Sequence, residues 1–123
     1  MAETGEAPGE VGVDIARLEA LRRLIGDEEF RRLADKFLVD MAGRIDSMTR
    51  LGAAGDVVAL GRAAHTLRGT AGSYGFATVA ALAGRLEAAC EAAQPDGVAG
   101  ALRALDAGLT ASASRLNAQF GLK

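Results

Sequence analysis

Apolar residues return at alternating steps of three and four along most of this chain, and that period restricts the elements able to bury them to α-helices. Phe30, Leu33/Ala34, Phe37, Met41, Ile45 and Met48 form one such stripe, and Val57, Leu60, Ala64, Leu67 and Ala71 form another. Val79, Leu82/Ala83, Leu86 and Ala89/Cys90 make a third, and Val98, Leu102, Leu105, Leu109, Ser112 and Leu116 a fourth. No stretch alternates with the period of two that a half-buried strand requires. The stripes are separated by Gly26-Asp27, Gly52-Ala53-Ala54-Gly55, the region of Gly75, and Gln94-Pro95-Asp96-Gly97.

These breaks predict five helices. The first spans about Asp14 to Leu24, with Ile15, Leu18, Leu21 and Leu24/Ile25 on one side, Asp14 as N-cap and Gly26 just past its end. The second runs from Asp27, read as its cap, to about Leu51, with Glu28 and Glu29 near the positive end of its dipole. Asp56 caps the third, which ends near Gly72 to Tyr74. The fourth covers about Phe76 to Ala93. The fifth covers about Asp96 to Ala118, with Pro95 suited to a first helical position. Short connections make successive helices antiparallel neighbours. The expected fold is all-α: an antiparallel up-down-up-down four-helix bundle, with the short extra N-terminal helix across one end. Residues 1–12, acidic and rich in Gly and Pro, are expected to be a disordered tail, and 13–123 the bundle domain.

Composition narrows the function. With Trp absent and aromatic residues at 4%, the core must be aliphatic. A formal charge of −2 gives no bulk electrostatic case for nucleic acid. Charged residues interrupt every apolar stretch well short of the roughly 20 residues a membrane span needs. The N-terminus has neither the basic segment nor the apolar segment of a signal peptide. The single cysteine, Cys90, forms no internal disulfide, suits a reducing cytosol, and reads as a buried, inert thiol. A cytoplasmic monomer is expected. Met1 and the end of the chain soon after the last helix point to a free-standing protein.

The only histidine, His65, lies beside the stripe of the third helix. Residues three, four and seven positions away share its face: Arg68, Gly69 and Gly72 on one side, with Gly61 and Arg62 one turn back. The face carries one imidazole, two guanidinium groups and three residues without side chains. A helical glycine costs about 0.5–1 kcal/mol relative to alanine, so three on one face cost about 2–3 kcal/mol. Close helix packing would place glycines on the apolar stripe, whereas Gly69 and Gly72 fall on the histidine side. That placement favours a docking surface at Gly69; for Gly72 the end of the helix is an equal explanation.

The run His65-Thr66-Leu67-Arg68-Gly69-Thr70-Ala71-Gly72-Ser73-Tyr74-Gly75 resembles the signature of histidine-containing phosphotransfer (HPt) domains: His, any residue, a hydrophobic residue, Lys or Arg, then Gly, small residues and a turn. Ala63-Ala64, Arg85-Leu86-Glu87 and the Asp14-to-Phe30 region are also similar to the family, and the likeness covers roughly Val13 to Leu116. It implies a helical bundle with an exposed histidine that accepts a phosphoryl group from a receiver-domain aspartate and passes it to another receiver. His65 would be the phosphoacceptor, Arg68 the cation near the phosphoryl group, and Gly69 the space beside the ring. Arg stands where Lys is commoner, keeping the charge but replacing a point with a planar fork.

The chemistry is compatible. An exposed imidazole is largely neutral and nucleophilic at cytosolic pH, and Arg62 and Arg68 disfavour a further positive charge on it. After transfer, Arg68 can pair with phosphoryl oxygens. The sequence holds no GxxxxGK[ST] loop and no Gly-rich kinase loop, so the chain is expected to be a phosphoryl carrier without an ATP site of its own. No intrinsic cofactor is expected; Mg²⁺ belongs in the partner receiver. Counting back from the Ala53-Ala54 turn places residues near Ala42 and Gly43 beside His65, so Val39 and Gly43 are candidates for the docking surface. Expected partners are response-regulator receiver domains, with a hybrid histidine kinase as a further candidate. Alternatives are direct loading by a histidine kinase catalytic domain, or a non-catalytic helical binding module. An acid–base enzyme would need an orienting carboxylate and an enclosed pocket, which an open helix face is not expected to offer. His65 with Cys90 is too few ligands for a zinc site.

Overall fold

The computed structural model describes residues 12–121, and most of the tail read as disordered lies outside them. Five helices follow in order: α1 (Ile15–Ile25), α2 (Asp27–Ala53), α3 (Val57–Tyr74), α4 (Ala77–Ala92) and α5 (Pro95–Phe120). No strand occurs among the described residues. Each of α2 to α5 packs on the next, and α5 returns to α2, which closes the ring of four. The stripes read from the sequence meet inside it. Phe30, Ala34, Met41, Ile45 and Met48 of α2 face Leu60, Ala64, Leu67 and Ala71 of α3. Val79, Ala83, Leu86 and Cys90 of α4, with Val98, Leu105, Leu109 and Leu116 of α5, complete the core. Leu33, Phe37, Leu82 and Leu102 are only partly buried at the margins, and Leu24 points outward.

Capping explains most of the boundaries. Asp14 and Asp56 accept from the backbone N–H groups of Arg17 and Ala59, satisfying donors that the first turn leaves free. Asp27 departs from its expected role. It is the first residue of α2, the N-cap is Gly26 with no side-chain bond, and the Asp27 carboxylate instead accepts from Arg22 at 2.7 Å. A basic side chain within reach outcompetes the local backbone amide. Gly12, expected in the disordered tail, is held: its carbonyl accepts from Thr78 N–H at 2.9 Å and its N–H donates to the Thr78 hydroxyl. The N-cap of α4, Phe76, has no side chain able to accept, so Gly12 supplies the missing partner.

α1 is tied to the end of α3. Gly75, at φ +88°, closes α3 in a left-handed conformation and accepts from Asp14 N–H, while Leu18 packs beside it. The Arg17 guanidinium donates to the carbonyls of Gly72 and Ser73. At the same end, Phe37 stacks on Tyr74 with ring centroids 3.9 Å apart, and Tyr74 donates its hydroxyl to Asp40. Burial, helped by that carboxylate, pushes the Tyr74 phenol up from its ordinary value.

One polar atom in the core lacks a partner. Ser112 is fully buried, and its Oγ makes no hydrogen bond among the described residues. A buried unpaired hydroxyl is destabilising, and alanine raises helix propensity. Ser112→Ala is therefore expected to stabilise the protein by about 1 kcal/mol, read as a higher denaturant midpoint with an unchanged slope.

Candidate functional site

The site is assembled by the pairing of α3 with α4. Gly61 lets the two backbones approach: a Cβ placed there would lie 3.4 Å from Cys90 Cβ. Gly61 thus has a packing role, in addition to its place on the histidine face. With α3 turning about 100° per residue, Gly61 and Arg68 fall on the side toward α4. His65 and Gly72 fall between that side and solvent, and Arg62 and Gly69 face outward.

His65 is exposed, with 68% of its side chain accessible. Its Nδ1 lies 2.9 Å from Glu87 Oε2 on α4. The other oxygen of that carboxylate accepts from Arg68 at 3.4 Å. Glu87, only 21% accessible, therefore joins the histidine to the cation that the sequence placed one turn away. A carboxylate can only accept, so the bond requires the proton on Nδ1. In the neutral ring Nε2 then carries the lone pair, and Nε2 forms no hydrogen bond among the described residues.

This corrects the expectation that the open face offers no orienting carboxylate. Glu87 was legible only as part of the Arg85-Leu86-Glu87 likeness. Its contact depends on the register of α3 against α4, which periodicity within one helix does not reveal. Beside the ring, a groove of about 720 Å³ is lined by Val57, Val58, Gly61, Arg62, Thr66 and Glu87, with Cys90 and Glu91 at its α4 wall. Cys90 is buried as expected, and burial pushes its thiol up from the ordinary value. Arg62 reaches the groove but forms no ion pair among the described residues.

Gly69 and Gly72 are exposed, and a Cβ on either would meet nothing within 4 Å, so close packing does not account for them. Val39 and Gly43 are also exposed, but their position differs from the expected one. Phe37 stacks on Tyr74, and a Cβ on Gly52 would lie 3.7 Å from Leu60. That antiparallel register sets Gly43 level with Gly69, and Val39 with Ser73. Counting from the Ala53-Ala54 turn set the centre of the pairing too early in the chain, because α2 continues to Ala53 and the turn lies beyond it, before α3 begins at Val57. The ring also leans toward α4, away from α2. The structure thus groups His65, Arg68 and Gly61 along the α3–α4 seam, with Arg62 reaching the groove from the outward side of α3. Val39 and Gly43 lie across α3, one turn or more toward its C-terminal end.

A model described as the Hpt domain matches residues 32–115, from the second turn of α2 to the last turns of α5. The fold is similar to the crystal structure of histidine-containing phosphotransfer protein B (HptB) from Pseudomonas aeruginosa PAO1. The TM-score is 0.78 and the identity 20%, over 96% of this chain and 99% of that one. At that identity the likeness speaks for the fold. No curated protein matches the sequence. The matched segment contains α3 and α4 whole, with His65, Arg68 and Glu87, and the chain belongs to the Hpt domain family, the histidine phosphotransfer proteins of phosphorelay signalling.

Proposed function

We propose that His65 is the phosphoacceptor, and that it takes its phosphoryl group from a receiver-domain aspartate and passes it to the aspartate of another receiver. The observation that carries this reading is the Glu87 contact, which turns Nδ1 inward and leaves Nε2 as the free nucleophile at the surface. In loading, the Nε2 lone pair forms the N–P bond while the O–P bond of the aspartyl phosphate breaks, returning its electron pair to the carboxylate. In unloading, an aspartate oxygen of the second receiver forms the new O–P bond while the N–P bond breaks and its electron pair returns to Nε2. The ring leaves as neutral imidazole because Nδ1 keeps its proton throughout, held toward Glu87. Arg68 neutralises charge on the transferred group. The Mg²⁺ that such transfer uses is assigned to the receiver.

Gly69 and Gly72 supply the bare surface that lets a receiver reach the ring, with Val39 and Gly43 continuing that surface onto α2. Arg62 supplies further positive charge at the groove. The carrier acts as a monomer in the cytoplasm. In support, the ring of four helices buries its stripes within one chain, and no helix among the described residues is long and apolar enough to cross a membrane.

Incubation with a panel of phosphorylated receivers is expected to place acid-labile, base-stable phosphate on the peptide containing His65. A parallel reaction with a histidine kinase catalytic domain and ATP tests direct loading. Label in that reaction alone would replace the receiver as donor, and label in neither would leave a helical binding module. Glu87→Ala is expected to slow loading about tenfold, the worth of one hydrogen bond to a charged group. Glu87→Gln, whose side-chain carbonyl still accepts from Nδ1, is expected to retain most of the rate. Stopped-flow transfer from one receiver to each variant checks both.

A further inference from the structure

Gly84 lies in the middle of α4, where glycine is unfavourable relative to alanine, and its neighbours do not explain it as a packing residue. Gly61 meets the Cβ of Cys90, and Gly52 and Gly108 meet leucine side chains. A Cβ on Gly84 would meet only Arg68: its Cδ at 3.3 Å and one guanidinium nitrogen at 3.7 Å. The stem of Arg68 therefore lies across bare backbone of α4. From there its guanidinium reaches Glu87, one turn further along the same helix, at 3.4 Å. The other oxygen of that carboxylate already holds His65 Nδ1. Cation and ring are thus gathered on one anion, and it is the missing side chain at position 84 that leaves room for the arrangement.

We propose that Gly84 is a positioning residue for phosphoryl transfer: it seats Arg68 on Glu87 beside the unloaded ring, from where the guanidinium moves onto the phosphoryl oxygens once Nε2 is loaded. The inference rests on His65 being the phosphoacceptor. Glu87 offers one negative charge, whereas the phosphoryl group offers close to two and three acceptor oxygens, so it draws the same fork more strongly. Both groups border the same ring, so the side chain needs only a rotation of its outer bonds. The Arg68–Glu87 pair is long and the Arg68 side chain is 56% accessible, which makes the parked contact weak and readily exchanged.

The test is a series at position 84 read against removal of the cation. Wild type, Gly84→Ala, Gly84→Leu, Arg68→Ala and the double variant Arg68→Ala/Gly84→Leu are loaded from one phosphorylated receiver, and the loaded fraction at equilibrium is measured. Gly84→Leu is expected to lower the ratio of loaded to unloaded protein about tenfold, the loss of one charge-assisted hydrogen bond. Gly84→Ala should fall between it and wild type. Arg68→Ala should match Gly84→Leu, and the double variant should lose no more than Arg68→Ala alone, because both changes remove one interaction. In a parallel NMR measurement the Arg68 Nε–H signal should move on loading in wild type and remain in place in Gly84→Leu. Gly84→Ala raises helix propensity, so it keeps the test informative if leucine impairs folding. Wild-type loading in both single variants at position 84, or losses that add in the double variant, would overturn the proposal. Absence of phosphate on wild type would instead remove the reading of His65 beneath it.

Discussion

His65→Gln is expected to abolish phosphate uptake from every receiver while leaving the fold intact. The imidazole is two-thirds exposed and its one hydrogen bond among the described residues is to Glu87, so its removal opens no cavity and strands no buried group. Substitutions at such surface positions usually change stability by no more than about 0.5 kcal/mol. The glutamine amide keeps a donor for Glu87 but has no lone-pair nitrogen with which to attack phosphorus. The loss should therefore be complete and purely chemical. Radiolabel transfer read beside the thermal unfolding curve checks this. Base-stable phosphate persisting on the variant would move the acceptor elsewhere, and a collapsed melting curve would show that the histidine carries structure.

The opposite pattern is expected from Phe30→Ala. Phe30 is 1% exposed and opens α2, where its ring lies against that of Phe120 near the end of α5, with centroids 5.0 Å apart. It joins the first and last helices of the ring at the end of the bundle remote from the histidine. Truncating a buried phenylalanine costs about 3–5 kcal/mol, through lost transfer energy and the cavity left behind. Against a total stability of about 5–15 kcal/mol, that is a large fraction. The melting temperature should fall on the order of 10–20 °C. At a temperature where the variant is folded, its loading rate should match wild type. A small shift would mean that neighbouring side chains refill the space, and slow loading in the folded variant would link this end of the bundle to the ring.

These contrasting expectations mirror what the sequence alone makes legible. The fold was legible because its information is local: a stripe of period 3.6, a break, a cap. Asp14 and Asp56 cap as expected, since an acidic side chain before a helix has its acceptor beside the free amides. Asp27 does not, because Arg22, five positions back in the sequence, comes within reach only once α1 and α2 fold. The site was half legible. His65, Arg68 and Gly69 are neighbours on one helix turn, so spacing alone places them together. Glu87 is 22 positions from His65, and its contact exists only in the antiparallel register of α3 on α4. Val39 and Gly43 show the same limit, since a turn later in the chain than assumed moved them along α3. What one helix determines was readable, and what two helices determine together was not.

The tether between α1 and the last turn of α3 bears on where the working unit begins. The segment matched to the family starts at residue 32, yet Arg17 closes the carbonyl end of the histidine helix and Asp14 holds its terminal glycine. The helix that presents the His65 ring is thus finished by residues that precede the segment matched to the family model. Boundaries drawn at the matched segment would leave its final carbonyls to water, and any partner or modification that pulled α1 away would loosen the ring's own support without touching the ring.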